Sequence, residues 1–383
     1  QRIWGGNIMS AALNYHQQPQ IRHVLNHDIM HCTAEGVTGN HLFSGRALGI
    51  SEPSDIIQLH PDLEYLWRDI TAHYRRIGLH HCRQVIWNLE LSQLARHTGY
   101  KPSVFYYGPH EYRNWGDHAW LETVEYINSK NNFMQLARQL GIDVPATHCF
   151  DSVMEITTEW LDRFVYPCYL KAAISVSGVG IYRCETPQQL QQSLTCFEAG
   201  VPVQIQEEVI ADSFLNMQYQ VVGKQLRRLA VSEQILDGFA HQGNRFPASF
   251  EPWESIEPMA EWLKQNGIKG IFAFDVAVSQ TPNGLRFPAI ECNPRFNGAS
   301  YPTLIANKMG ISQWCSINLS TSFNKLSQID LQDIEYDEQT GEGVILVNWG
   351  TILVGKLMLL IAGPTAYQQE LIARLKARLN PST

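Results

Sequence analysis

Two carboxylates and a carboxamide, Asp275, Glu291 and Asn293, fall within the segment IFAFDVAVSQTPNGLRFPAIECNPRF. Glu291 and Asn293 are two apart, so on a regular strand they share a face. The turn decides whether Asp275 joins them. A two-residue Asn283-Gly284 turn pairs Pro282 with Leu285 and sets Asp275 opposite Cys292, on the wrong face. A three-residue loop, Pro282-Asn283-Gly284 with Gly284 left-handed, pairs Thr281 with Leu285 and sets Asp275 opposite Glu291. The second register builds an all-oxygen site. Such hard ligands suit Mg²⁺ bridging nucleotide phosphates, with waters completing the octahedra. The weaker alternative is a pair of solvated carboxylates on a hairpin. Apolar neighbours Ile271, Phe272, Phe274, Val276, Phe287 and Ile290 place the acids on otherwise buried strands, where they need a partner charge.

A second group lies in YLKAAISVSGVGIYRC. Lys171, near a strand end, precedes Ser175, Ser177, Gly178 and Gly180, a point charge followed by a loop whose N–H and hydroxyl groups can cradle phosphates. The order matches neither a P-loop nor the G-x-G-x-x-G dinucleotide fingerprint. In VPVQIQEEVI, Glu207 and Glu208 end an alternating strand; an acid at a hinge between lobes can accept from an adenine amino group while backbone beside it meets the ring, and the plainer alternative is two solvated glutamates on a surface strand.

The elements that must position these groups follow from periodicity. Residues 62–77 put Leu63, Leu66, Trp67, Ile70 and Tyr74 at helical spacing, and 104–107 (VFYY) read as a buried strand, so the front of the chain is α/β. Ser129 caps a helix over 130–140 that Gly141 stops. A helix over 187–199 carries Leu190, Leu194 and Phe197 behind a proline in its first turn. From Val201 onward strands dominate, interrupted by a helix over 255–266 and closed by one over 366–379 with Leu371, Leu375 and Leu379 on one face.

The order of these parts resembles the ATP-grasp superfamily over roughly residues 126–315: Lys130 opening a helix in NSKNNFMQLARQLGIDVPAT, then FVYPCYLKAAISVSGVGI, VQIQEEV, FAFDV and IECNPRFNGASYP. The resemblance implies two α+β lobes, 126–200 and 201–315, preceded by an N-terminal α/β pre-grasp domain (1–125) and followed by a small C-terminal α/β segment (316–383). It implies that Lys130 and Lys171 bind ATP phosphates, that Ser175, Ser177, Gly178 and Gly180 close over them, and that Glu207, Glu208 and Val209 hold adenine. Asp212 is the one candidate for the ribose, and the family's ribose acid follows the hinge at a different spacing. Asp275, Glu291 and Asn293 take the metal role, with two Mg²⁺ expected and Mn²⁺ able to substitute. Arg295 resembles the family's arginine that stabilises the transferring phosphoryl group; the competing reading makes it a structural partner of Glu291. Asn297, Ser300 and Tyr301 follow beside the expected acceptor site. The wording ECNPRFNGASYP, with FSGRALGISEPSD in front, is similar to the pheganomycin-type peptide ligases. That similarity implies an ADP-forming carboxylate–amine ligase acting through an acyl phosphate, with amino acids or short peptides as partners and a homodimer as an option. A carboxylating enzyme and a non-catalytic ATP-binding sensor are the alternatives.

Composition narrows the field. At 383 residues the chain exceeds one core. A net charge of −8 argues against nucleic acid as partner, and 44% hydrophobic content with ten Trp argues against disorder. Eight cysteines without a C-x-x-C pair, and no basic-then-apolar leader, fit a reducing cytoplasm. Residues 344–362 are apolar enough to suggest a membrane span, but Asn348, Lys356 and glycines break them into short buried strands. His23, His27 and His31 fall at helical spacing without a fourth ligand, and no G-x-S-x-G elbow marks a hydrolase.

Overall fold

A computed structural model describes residues 21–33, 38–174, 180–237 and 240–381. Among the described residues the strands form three sheets. The first is parallel, in order β3-β2-β1-β4, from β1 (His23–Asn26), β2 (Ile56–Gln58), β3 (Gln84–Ile86) and β4 (Lys101–Val104). The strand expected over 104–107 thus ends where it was expected to begin. Helical periodicity over 62–77 resolves into a 3₁₀ turn, Pro61–Leu66, opened by a proline, and α1 (Trp67–Arg76). Two short helices, α2 (Pro109–Trp115) and α3 (His118–Asn128), lead to α4 (Lys130–Gln139), whose Ser129 cap accepts from the N–H of Asn132 at 3.4 Å.

The second sheet is antiparallel, in order β5-β8-β6-β7, from β5 (Thr147–Phe150), β6 (Cys168–Ala172), β7 (Ile181–Cys184) and β8 (Val203–Glu207). Helix α5 (Thr158–Leu161) and helix α6 (Pro187–Leu194) cover one face of it. The latter stops short of the expected residue 199. The third sheet has nine strands: β9 (Ser213–Val222), β10 (Gln225–Asp237), β11 (Ala240–Phe246), β12 (Gly270–Thr281), β13 (Gly284–Arg286), β14 (Ala289–Asn293), β15 (Trp314–Ser320), β16 (Gly343–Asn348) and β17 (Lys356–Ala362). Helix α7 (Glu257–Asn266) and helix α9 (Thr365–Leu379) pack on it, while helix α8 (Ser300–Met309) packs on the 3₁₀ helix Asn40–Ile50 and accepts, at Thr303 Oγ1, a hydrogen bond from Gln218 of β9. Strand β15 runs through residue 315, and β16 and β17 extend the same sheet beyond it.

The apolar stretch over 344–362 is therefore strand, 3₁₀ turn, strand, and among the described residues no helix is long and apolar enough to cross a membrane. Its side chains share one core with the front sheet, where Leu42, Leu63 and Ile70 pack near Val347, Trp349 and Leu359. Close approach there requires glycine: a Cβ on Gly350 would fall 2.7 Å from the carbonyl oxygen of Leu42.

Candidate active site

Strands β12 and β14 bring the predicted acids together by a route the sequence did not offer. The turn is Pro282-Asn283, pairing Thr281 with Gly284, which alone would put Asp275 opposite Ile290. A bulge between the Val276–Ala289 and Asp275–Glu291 pairs shifts the register by one residue and sets Asp275 opposite Glu291. Neither anticipated loop is present; an extra residue in the ladder takes the part assigned to the three-residue turn. Asn293 lies on the same face and donates Nδ2 to Asp275 Oδ2 at 3.1 Å. The other carboxylate oxygen, Oδ1, accepts from Asn216 Nδ2 at 2.9 Å and Gln234 Nε2 at 2.7 Å.

Helix α4 supplies the first cation. Its opening N–H, that of Lys130, donates to Ala173 O at 2.7 Å, and the Lys130 ammonium pairs with Glu291 Oε2 at 3.0 Å. Helix α4 thus joins the second sheet to β14. Strand β6 supplies the second cation. Lys171 is 8% exposed and donates to Gln206 Oε1 at 2.7 Å; Gln206 Nε2 donates to Thr147 Oγ1 at 3.0 Å. Alternation along β8 explains this. Val203 and Ile205 enter the core under α6, so Gln204 and Gln206 face the other way, beside Lys171. Both amide atoms of Gln204 are buried without a partner among the described residues.

Electrostatics couples the groups. Burial pushes the Asp275 carboxyl upward, and the Glu291 charge adds to this against the carboxamide donors. Burial acts the same way on Glu291, but Lys130, with Lys171 and Arg295, holds it below the usual carboxylate range. Burial brings Lys171 down to about 8, opposed by Glu291 and reinforced by Lys130. Glu291 is paired with Lys130, but Asp275 has only carboxamide donors and, among the described residues, no ion-pair partner. A hard divalent cation fits that demand, and Asp275, Glu291 and Asn293 are the residues that would hold it.

The other predicted residues are more dispersed. Glu207 Oε1 accepts from the N–H of Ala146 at 3.0 Å, and Glu208 accepts from Tyr169 and Arg183 at 2.9 and 2.6 Å, so both acids are engaged by protein at the end of β8. Val209 is half-buried beside them, and Asp212 is exposed, its N–H donated to Val278 O. Gly180 sits at φ 79° and its carbonyl accepts from Ala172 at 3.0 Å; Ser175, Ser177 and Gly178 lie outside the described residues. Arg295 is half-buried and donates Nη1 to Phe296 O rather than to Glu291. Asn297 and Ser300 bond each other at the start of α8, and Tyr301 is fully buried with its hydroxyl 2.8 Å from His27 Nδ1. The histidines do not gather: His23 is on a strand, His27 is enclosed, and His31 stacks on His110. Among the described residues His41, His60 and Asp62 make the one such cluster, half-exposed at the surface. Sequence reasoning missed Gln206, Asn216 and Gln234, although polar residues alternating with core positions on β8 and β9 mark the first two.

No family model and no curated protein matches the chain. Solved structures do. An N5-carboxyaminoimidazole synthetase from Staphylococcus aureus, complexed with ADP, aligns over 93% of this chain and 96% of its own at 10% identity, with a TM-score of 0.61. The chain has the ATP-grasp fold. An N5-carboxyaminoimidazole ribonucleotide synthetase from Thermus thermophilus aligns over 95% and 99% at 15% identity and TM-score 0.57, and an L-amino acid ligase from Bacillus licheniformis over 94% and 98% at 11% and 0.56. Within the ATP-grasp fold of this chain, the paired acids sit on the large sheet and Lys171 on the smaller antiparallel one.

Proposed function

We propose that the chain is an ATP-dependent, ADP-forming carboxylate–amine ligase that makes an amide or peptide bond through an acyl phosphate. The observation that carries this reading is the Lys130–Glu291 ion pair beside Asp275 and Asn293, with the buried Lys171 near enough to act electrostatically on Glu291 and Lys130. A solved neighbour named as an L-amino acid ligase supports the amine acceptor, and neighbours complexed with ADP support the nucleotide.

In this reading Lys130 and Lys171 neutralise the ATP phosphates, with the loop from Ser175 to Gly180 over them and Glu207, Glu208 and Val209 beside the base. Asp212 is retained as the ribose candidate. Mg²⁺ held by Asp275, Glu291 and Asn293 would supply charge neutralisation on the phosphates. A substrate carboxylate oxygen attacks the γ-phosphorus, the bond to ADP breaks, and Arg295 stabilises the charge in flight. The amine then attacks the acyl carbon, loses a proton and expels phosphate. No covalent enzyme nucleophile is needed; positioning and charge stabilisation carry the barrier reduction. Asn297, Ser300 and Tyr301 shape the wall near the acceptor from within the protein. We assign residues 1–125 as the pre-grasp domain, 126–200 and 201–315 as the grasp lobes and 316–383 as the rear segment, and place the enzyme in the cytoplasm acting on amino acids or short peptides.

The neighbours named as carboxyaminoimidazole synthetases favour one second reading, in which bicarbonate replaces the organic acid. Mg²⁺-dependent release of ADP and phosphate, screened over paired amino acids and short peptides and separately over amines with labelled bicarbonate, tests both. Release that requires an organic acid and an amine together supports the ligase; incorporation of bicarbonate label replaces it.

A further inference from the structure

Arg46, in the front motif FSGRALG, lies in a 3₁₀ helix (Asn40–Ile50) and is 5% exposed. Its guanidinium carbon stands 4.5 Å from the ring centre of Tyr301, 4.6 Å from Phe43 and 5.1 Å from Phe105. Aromatic faces compensate part of a buried positive charge, but they accept none of the in-plane N–H groups. Nε donates to Phe43 O at 3.3 Å, whereas Nη2 is buried with no hydrogen-bond partner among the described residues. Among the described residues no carboxylate pairs with Arg46. The nearby Tyr301 hydroxyl is engaged by His27.

A second guanidinium borders the same place. Arg295 stands 5.5 Å from the centre of the Phe105 ring that Arg46 also touches, and it too has no carboxylate partner among the described residues. Burial and the Arg295 charge both lower the Arg46 pKa. Two cations sharing one ring, one of them nearly sealed from water, are a deficit of negative charge that the fold itself does not fill. The group that fits a guanidinium edge is a planar or tetrahedral oxyanion. Half-buried Arg295 and Cys32 flank this place, and Arg295 also bears electrostatically on Asp275 and Glu291.

We propose that Arg46 binds an oxyanion of a substrate, a carboxylate or a phosphoryl group, held between the front domain and Arg295. That the oxyanion belongs to a substrate rests on the ligase reading; that Arg46 binds an oxyanion does not. Arg46 is then a specificity-determining residue contributed by the front domain, and a substrate with a neutral group in that position binds poorly.

The test uses the full chain and needs no turnover. Thermal melting is followed with acetate, with inorganic phosphate, with acetamide as the neutral isostere of acetate, and with chloride at matched ionic strength. Acetate or phosphate should raise the melting temperature above both controls, and Arg46→Met should abolish that rise while leaving the ligand-free protein melting no lower than wild type, because an unpaired buried charge has been removed. Arg46→Lys, which keeps the charge without the bidentate edge, should show a reduced rise and serves if the Met variant does not fold. Protection by acetate identifies a carboxylate, and protection by phosphate alone a phosphoryl group. The proposal fails if neither oxyanion exceeds the controls or if Arg46→Met keeps the full response. Once a substrate pair supports ADP release, Arg46→Met should raise the KM of the partner bearing the oxyanion about 10- to 100-fold and spare that of ATP. Oxyanion protection without any ADP release would sink the ligase reading and leave the Arg46 site standing.

Discussion

Gln206→Met isolates the environment of Lys171. The lysine is buried with one oxygen acceptor among the described residues, Gln206 Oε1 at 2.7 Å, and the amide is held in that orientation because Nε2 donates to Thr147 Oγ1, whose hydroxyl donates to Pro145 O at 2.8 Å. Methionine matches glutamine in size and cannot accept. A hydrogen bond to a charged group contributes about 1.5–3 kcal/mol, so its loss lowers the Lys171 pKa by about one to two units. Burial already holds it at about 8, and the variant value falls to about 6–7. The sign follows from the charged form being the one that phosphates select. Because the folded pKa lies below the unfolded value of 10.5, Lys171 disfavours folding at neutral pH, and this cost fades as pH rises from about 8 toward 10.5. Nucleotide binding has the opposite trend: it takes up a proton above the folded pKa and weakens as pH rises. Calorimetric titration with ATP at pH 6 and pH 8 should show the variant about 5- to 50-fold weaker at pH 8 and within about twofold of wild type at pH 6. A deficit of the same size at both pH values, or none at pH 8, would refute the assignment of Gln206 as the residue that keeps Lys171 charged.

Two further outcomes are expected. Glu291→Gln leaves Lys130, whose side chain is 11% exposed, without its partner; allowing for the partial exposure of Glu291, urea melts should show a loss of about 1–3 kcal/mol, part of it restored in Glu291→Gln/Lys130→Met, with ADP release lost in both. Glu335 ties the rear segment to α1: its carboxylate accepts from Arg76 and from the Nδ1–H of His73, whose Nε2 accepts the N–H of Leu346. Burial pushes that carboxyl up, but Arg76 and His73 outweigh it and hold the pKa at about 2. The stabilisation is complete above about pH 4.5 and lost as pH falls toward 2, so the cost of Glu335→Gln in urea melts, about 2–3 kcal/mol at pH 7, should narrow steadily below pH 4.5.

The residues of the candidate site were legible where one strand or one cap decides them. Ser129 before Lys130 announces a helix start, and a lysine at the end of CYLKA announces a strand-end cation, because both depend on neighbours in sequence. The pairing of Asp275 with Glu291 was legible only as an outcome. Loop length was the visible variable, yet the register is set by a bulge at Ile290, and a bulge leaves no mark in hydrophobic alternation. Helix ends failed in the same direction: the helix over 187–199 stops at Leu194 because the turn after it satisfies its own carbonyls through Thr195, Cys196 and Phe197. Gln234 and Arg46 were hidden for another reason. Each acts on a group more than forty residues away on another β-strand or helix, through contacts that only the assembled sheets define.

Lys130 and Glu291 also expose a competition. Each satisfies the other at 3.0 Å, yet the ligase reading needs Lys130 on a phosphate and Glu291 on a cation. Neither ligand can take its partner without stranding the other charge, so nucleotide and cation must bind with positive coupling, of about 1–3 kcal/mol. The coupling is reciprocal, and its origin can be isolated by removing the competitor. In Lys130→Met, Glu291 has no ion pair to leave; Mn²⁺ titrated into the variant without added nucleotide and followed by its electron paramagnetic resonance signal should bind more tightly than to wild type, by about 5-fold or more, while the further tightening on adding ADP should shrink. If the variant binds Mn²⁺ more weakly than wild type in the absence of nucleotide, Lys130 is not competing for Glu291. The ion pair would then be a fixed structural link between α4 and β14, and the phosphate role would pass to Lys171 alone.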